Sequence, residues 1–493
     1  MSEKKDNQQT EPDKKDQKDK KETPKDVQVV TKHELVVNGK KISYTAYAGT
    51  IVIKKEEEEK EPQAKASMFY IAYIKDEEPE PKKRPITFSF NGGPGSSSVW
   101  LHMGLLGPRR VISEKEEPKI LPPPYELVDN EYTLLDETDL VFIDPVSTGY
   151  SRAVPGEKNV QFHDFQKDIE SVGELIRLLT TRFKRWASPK FLIGESYGTT
   201  RASALSGFLQ DTYGFYLNGI MLISSILNFA TARFDVGNDL PYALFLPTYA
   251  TTAWYHKKNS YENLQTLVSE VKEFAGNEYI LALMKGDELQ GEERKNIVTK
   301  LSKFTGLSED YIEQTNLRIN IFKFCKQLLR KEGQTVGRLD TRYKGYDLDS
   351  SGEMFEFDPY MPAIKGPYTS TFNDYVRREL DYENDVPYEI LGNLYKTWKY
   401  EQHQNQYVNV AETLRSAISK NTYLKVFVAN GFFDLATPFF ATEYTFKHIG
   451  LKPDLVKNIS MSYFEAGHMM YSHGPSLEKL KKDLTQFIKN SIA

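Results

Sequence analysis

Gly194-Glu195-Ser196-Tyr197-Gly198 joins an apolar run at residues 190–193 to a segment of helical pattern at residues 197–210. No other feature constrains the fold of this chain as strongly. A serine flanked at one remove by glycines, between strand and helix, occupies a tight, strained turn with its hydroxyl exposed above the sheet. The flanking positions must be small so that strand and helix can approach. The pentapeptide alone arises by chance in many long chains, and its placement gives it meaning. A nucleophile held this way requires a base, an acid and oxyanion donors elsewhere in the sequence.

The remaining chain has the organisation such a turn needs. Val36-Val37-Asn38-Gly39-Lys40-Lys41-Ile42 predicts a hairpin, with Asn38-Gly39 supplying the positive φ angles of its turn. Residues 43–53 and 67–74 read as strands on either side of a charged loop at 56–61, so the chain opens as an antiparallel meander. Strand–helix alternation comes next. Residues 86–90, 140–143 and 219–224 are short apolar strands. Ile169, Val172, Ile176, Leu179 and Phe183 recur at spacings of three and four, one face of a helix.

From about residue 231 to 406 the rhythm gives way to a charged, Tyr- and Phe-rich stretch of mostly helical pattern, as at 261–275 and 316–330. Alternation then resumes with a strand at 424–429, a helix at 438–449, a strand at 459–464 and a helix at 475–492. The predicted fold is α/β, a doubly wound, mostly parallel sheet of the α/β-hydrolase type. It carries antiparallel N-terminal strands and a mainly helical inserted cap. The corresponding division is a disordered charged tail at 1–30, core at 31–230, cap at 231–406 and core again at 407–493.

A chain of 493 residues buries a large core without disulfides, and its one cysteine, Cys325, permits no intrachain bridge. Cys325 reads as an interior hydrophobe. The net charge of −5 shows no basic excess, so nucleic acid is not an expected partner. Lys, Glu, Asp and Gln dominate the first 26 residues, which lack the apolar stretch of a signal peptide. No later segment reaches transmembrane length, so no membrane span is expected. With Met1 as the start this predicts a cytoplasmic protein; a secreted protein stripped of its leader would carry the same sequence. No His-x-x-x-His, paired-cysteine or phosphate-cradling pattern stands out, and no metal or cofactor is expected.

In this fold the acid and the base come after the nucleophile, each on a loop at the end of a strand. Asp434 follows strand 424–429 through Asn430-Gly431-Phe432-Phe433, and His468 follows strand 459–464 through Glu465-Ala466-Gly467. The expected catalytic residues are therefore Ser196 as nucleophile, His468 as base and then acid, and Asp434 orienting the imidazole. Asp434 also suits a turn ahead of the helix at Pro438. Asp144 ends another strand, but it precedes the serine. One oxyanion donor is expected from the Tyr197 N–H. The other is expected from Asn91-Gly92-Gly93-Pro94-Gly95, which comes directly after strand 86–90.

Three blocks, Asn91-Gly92-Gly93-Pro94-Gly95-Ser96-Ser97, Gly194 to Gly198 and Ala466-Gly467-His468-Met469, strongly resemble the signatures of the serine carboxypeptidases, the group of carboxypeptidase C and cathepsin A. The resemblance runs from about Ile86 to the end, excluding most of the insertion. It implies removal of C-terminal amino acids from peptide substrates, with Gly93 and Tyr197 forming the oxyanion hole. It further implies that Asn91, Gly92 and Glu195 hold the substrate's terminal carboxylate. Two carboxyls at hydrogen-bond distance share a proton, so this clamp should work best at mildly acidic pH.

The chain departs from the family at several points. Ser96 stands where secreted members often carry a disulfide cysteine, and Asn228 where eukaryotic members have a Gly-Asn-Gly loop. Met470-Tyr471 comes after the His-Met step where many relatives soon place a proline. These departures resemble a bacterial branch. Cap aromatics such as Tyr249, Trp254 and Tyr255 are expected to pack in a core rather than line a pocket. An esterase or acyltransferase on the same scaffold is the alternative, and a catalytically dead binding protein a third reading that the complete Ser–Asp–His set disfavours.

Overall fold

Asn38 and Gly39 take φ angles of 50° and 74°, as a two-residue hairpin turn requires, and join β1 (Val27–Val37) to β2 (Lys40–Glu57). The computed structural model describes residues 24–57, 60–112 and 117–492. β2 pairs with β3 (Lys60–Lys75) up to Glu57 and Lys60, so the expected charged loop at 56–61 is mostly strand. β1 begins inside the stretch assigned to the tail. Asp26 accounts for this, because its carboxylate accepts the Val52 N–H at 2.7 Å and meets Arg182 at 2.7 Å. The rest of the expected tail, residues 1–23, lies outside the described residues.

The central strands are β4 (Ile86–Phe90), β5 (Asp139–Ile143), β6 (Lys190–Ser196), β7 (Gly219–Ser225), β8 (Lys425–Gly431) and β9 (Ile459–Phe464). Their order in the sheet is β1-β2-β3-β5-β4-β6-β7-β8-β9. The pairs from β1 through β3 to β5 are antiparallel, and every pair from β5 to β9 is parallel. This is the α/β-hydrolase fold. β4 lies between β5 and β6, and chain direction across the sheet switches there, where such folds place ligands.

Alternate residues of the strands feed two cores. Leu192, Ile220 and Val426 face helix α1 (Phe165–Arg182) and α2 (Tyr197–Tyr213), while Phe191, Met221 and Phe427 face the C-terminal helix Gly474–Ile492. The α1 stripe Ile169, Val172, Ile176 and Leu179 is buried, and Asp164 caps the helix by accepting the Gln166 and Lys167 N–H groups. Between β7 and β8, helices Leu240–Tyr255, Leu264–Phe274 and Gly291–Thr305 enclose a core of their own. Tyr249 and Cys325 are buried in it, and none of Tyr249, Trp254 and Tyr255 lines the pocket above Ser196. The expected helix at 316–330 shortens to Ile321–Gln327, because Asn316 and Leu317 take positive φ and Asn320 caps the shorter helix. Among the described residues no helix is long and apolar enough to cross a membrane.

Arg201 fastens this framework. It lies fully inside, its Nε donates to Asp168 of α1 at 2.7 Å, and its Nη1 donates to the Asn91 carbonyl at 2.6 Å. Replacing one partner of a buried pair strands the other charge. Arg201→Met should cost about 3–5 kcal/mol at neutral pH, read by denaturant titration. Burial already raises the Asp168 pKa and Arg201 holds it down, so the variant raises it further. The stability deficit should shrink as pH falls and the stranded carboxyl takes a proton.

Candidate active site

Ser196 ends β6 with φ 60° and ψ −130°, a conformation that costs a non-glycine residue about 1–3 kcal/mol. Close packing maintains it. A Cβ on Gly194 would lie 2.2 Å from the Gly198 carbonyl oxygen, so the turn admits no side chain there. Gly92 is pressed as tightly against the same turn: a Cβ on it would come within 2.4 Å of the Tyr197 nitrogen and 2.8 Å of the Glu195 oxygen. The loop after β4 and the turn after β6 thus touch backbone to backbone. Gly93, with φ 106°, and Tyr197 both border the pocket beside Ser196.

That pocket encloses about 440 Å³, and Asn91, Gly92, Glu195, Ser196 and His468 all border it. His468 is held by its backbone, which donates N–H to the Leu339 carbonyl at 2.7 Å and accepts the Ser224 hydroxyl at 2.6 Å. Its Nδ1 lies 2.8 Å from Oδ2 of Asp434. An Nδ1–H donated to that carboxylate leaves the Nε2 lone pair free to accept a proton. Asp434 is fully buried and also accepts the Ala436 and Thr437 N–H groups at 2.8 and 3.0 Å and the Thr437 hydroxyl at 2.6 Å. It therefore fills both positions foreseen for it, in the turn and against the histidine.

Burial alone would lower the His468 pKa, but the Asp434 and Glu195 carboxylates more than offset it and the net direction is upward. Glu195 is buried beside it. Asn91 Nδ2 donates to its Oε1 at 3.0 Å and the Tyr471 hydroxyl donates to its Oε2 at 2.6 Å. Burial raises the Glu195 pKa to about 7, against the lowering pull of His468 and of the Tyr471 hydrogen bond. Asn91 is itself fixed, its side-chain oxygen accepting the Leu101 N–H at 3.1 Å.

All eight residues singled out from the sequence thus converge on one pocket wall or its support. Asp144 does not; it accepts the backbone N–H and hydroxyl of Ser98, both at 2.8 Å. Ser96 accepts the Trp100 indole N–H at 2.6 Å, and Asn228 caps the short turn at Phe229–Ala232. Sequence reasoning passed over Tyr471, although its departure from the family pattern was a visible signal. Thr437 and Arg338, which also reach this site, carried none. Among the described residues no cluster of His, Cys, Asp and Glu is arranged to hold a metal ion.

Comparison with known proteins agrees with this architecture. A curated relative, the pheromone-processing carboxypeptidase KEX1 of Saccharomyces cerevisiae, is 25% identical over 245 residues, covering 45% of this chain and 31% of KEX1. The match therefore spans less than a third of that relative's length. The crystal structure of KEX1(delta)p, described as a prohormone-processing carboxypeptidase from the same yeast, superposes with a TM-score of 0.55 at 15% identity, covering 90% of this chain and 91% of that one. At that identity the superposition speaks for the fold. The serine carboxypeptidase family model matches residues 39–472, nearly the whole described chain, and this protein belongs to that family.

Proposed function

We propose that this chain is a serine-type carboxypeptidase that releases C-terminal amino acids from peptides through an acyl-enzyme on Ser196. The observation that carries the reading is Glu195, a buried carboxyl with a pKa of about 7, one residue before the nucleophile and bonded to Asn91. An esterase needs no such group. A peptide's terminal carboxylate brought against Glu195 shares its proton, with the Asn91 amide and the Gly92 backbone as further donors. The scissile carbonyl then lies over Ser196. The Ser196 hydroxyl attacks the carbonyl carbon while His468 Nε2 takes its proton, and Asp434 stabilises the imidazolium. The N–H groups of Gly93 and Tyr197 receive the oxyanion. His468 protonates the departing amine, and the amino acid leaves. Water, deprotonated by the same imidazole, hydrolyses the ester and restores Ser196.

Opposite protonation states are needed at two neighbouring groups. His468 must be neutral, which fails as pH falls through its raised pKa. Glu195 must be protonated, which fails as pH rises past about 7. Paired kinetics on an N-blocked dipeptide and on its C-terminal amide, from about pH 4.5 to 8, test the reading. The free acid should be preferred. The acid-to-amide ratio of kcat/KM should fall by up to about tenfold per pH unit above the Glu195 pKa. Ser196→Ala should abolish both activities, and Glu195→Gln should flatten the ratio against pH. Equal rates on acid and amide, both rising with His468 deprotonation, would indicate an esterase or amidase instead.

Tyr471 tunes the clamp without touching the scissile bond. Its hydroxyl donates to the ionised form of Glu195, so Tyr471→Phe should raise the Glu195 pKa. A lost hydrogen bond of about 0.5–1.5 kcal/mol moves the alkaline limb on the free acid upward by about half to one pH unit. The amide's profile should stay in place. A uniform loss on both substrates, with no movement of the limb, would mark Tyr471 as structural support alone.

A further inference from the structure

The pocket has two unlike flanks. Beside Glu195, the Trp100 ring packs on Tyr368 at 4.9 Å, and Tyr368 and Tyr471 meet over Gly104, whose Cβ would lie 2.4 and 2.5 Å from them. Met361 and Ile364, from the first turns of α3 (Met361–Arg378), complete this side of the pocket. On the other side, Tyr197 packs against Trp398 at 5.5 Å and against Phe229 at 6.4 Å. If Glu195 and Asn91 hold the terminal carboxylate, the residue being released rests on the Trp100–Met361 flank. The acyl portion of the peptide rests on the aromatic one.

Arg338 also borders the pocket, and its backbone is tied to the head of α3, which carries Met361 and Ile364. Its position is set from three directions. The Arg338 and Leu339 N–H groups both donate to Asp358 Oδ2 at 3.1 Å, and Asp358 Oδ1 accepts the Tyr360 N–H at the head of α3 at 3.0 Å. The next carbonyl, that of Leu339, takes the His468 N–H. Arg338 is thereby fixed between the histidine loop and the start of α3. Its guanidinium, half-buried, makes no ion pair or hydrogen bond with any described residue, and the nearby Asp358 carboxylate is occupied by backbone N–H groups. Glu195 is the one acid bordering the pocket among the described residues, and the clamp uses it. A planar fork of donors is thus left at the pocket edge without a bonded partner among the described residues, near the apolar Met361 and Ile364.

Building on the carboxypeptidase reading, we propose that Arg338 is a specificity residue that selects peptides whose released C-terminal residue is acidic, pairing with the side-chain carboxylate of glutamate or aspartate. Released glutamine, of the same shape but neutral, lacks the charge that makes such a fork bind strongly. Released lysine meets direct repulsion. The clamp reads the main-chain carboxylate and Arg338 the side chain, so the two recognitions are separable by substitution.

The test compares N-blocked dipeptides ending in glutamate, glutamine and lysine on the wild-type chain, Arg338→Met and Arg338→Glu. Wild type should favour glutamate over glutamine by about tenfold or more in kcat/KM, as a charged pair against a neutral isostere allows. Arg338→Met should bring that ratio to near one, and Arg338→Glu should shift preference to lysine. A wild-type ratio near one, or a ratio that survives Arg338→Met, would overturn the proposal. So would an equal loss on all free acids that spares their amides, because Arg338 would then be holding the main-chain carboxylate. The same peptides titrated calorimetrically into Ser196→Ala protein separate this claim from the reaction. An Arg338-dependent glutamate preference in binding to Ser196→Ala protein, with no amino-acid release by the wild-type chain, would sink the carboxypeptidase reading and leave Arg338 as a reader of acidic side chains. No preference in binding would sink Arg338 whatever the enzyme releases.

Discussion

The contact of two backbones, Gly92 against the turn at Glu195–Tyr197, governs the geometry of everything in this pocket. A Cβ at residue 92 has only 2.4 Å to the Tyr197 nitrogen, so the two loops are separated by no side chain at all. On the proposed reading, the Gly93 and Tyr197 N–H groups must converge within a hydrogen-bond length of a single point. Backbone contact would serve that convergence with the least freedom. The same contact brings Asn91 within 3.0 Å of Glu195. Arg201 secures it from below, tied to α1 through Asp168 and to the loop through the Asn91 carbonyl. The strained φ of Ser196 is held in the same packing, where a Cβ on Gly194 would meet the Gly198 oxygen at 2.2 Å and one on Gly198 the Phe90 oxygen at 2.8 Å.

Around this rigid frame the electrostatics are arranged as a pair rather than as independent groups. Glu195 and His468 are buried neighbours, and each shifts the other's titration. A proton on His468 lowers the Glu195 pKa, and a charge on Glu195 raises that of His468. Such groups share protons, and their macroscopic pKa values belong to both. The proposed reaction needs the proton on Glu195 and a neutral imidazole. A peptide carboxylate bound as proposed would bring a further negative charge next to Glu195 and favour that arrangement over its reverse. On that reading, substrate binding would help set the protonation state that the chemistry requires.

Much of this was legible in the chain, for identifiable reasons. Ile86–Phe90, Lys190–Ser196 and Ile459–Phe464 are short apolar strands whose ends are marked by glycine-containing loops, so their positions and the residues after them could be read locally. Asp434 and His468 come from chain order once those strands are placed. The failures lie where burial is decided at long range. The helix expected at 316–330 was broken by Asn316 and Leu317 adopting positive φ, which no periodicity announces for a leucine. The strand at Val27 depends on Asp26 reaching Val52 and Arg182, both distant in the chain. Arg338 comes from the inserted stretch, whose sequence carries no signature, and Tyr471 from the turn just after the histidine block. Only the folded chain brings them to Glu195 and His468.

The insertion is consequently more than a cover. Its segment at Arg338–Asp340 supplies the carbonyl that receives the His468 N–H, and Asp340 accepts the Gly467 N–H at 3.2 Å. A Cβ on Gly467 would lie 2.4 Å from that of Asp340, so the histidine loop is seated on the cap as closely as Gly92 is on the elbow. Asp340 is buried and anchored by Arg342, whose guanidinium donates to both of its oxygens and to the Glu465 carbonyl at 3.0 Å. The segment that carries Arg338 to the pocket is therefore the same segment that positions His468. A change to the backbone of the 338–342 segment bears on His468. On the proposed reading, side-chain preference is therefore altered with least disturbance at the Arg338 side chain, with the backbone held fixed, and even there loss of the guanidinium charge would raise the His468 pKa.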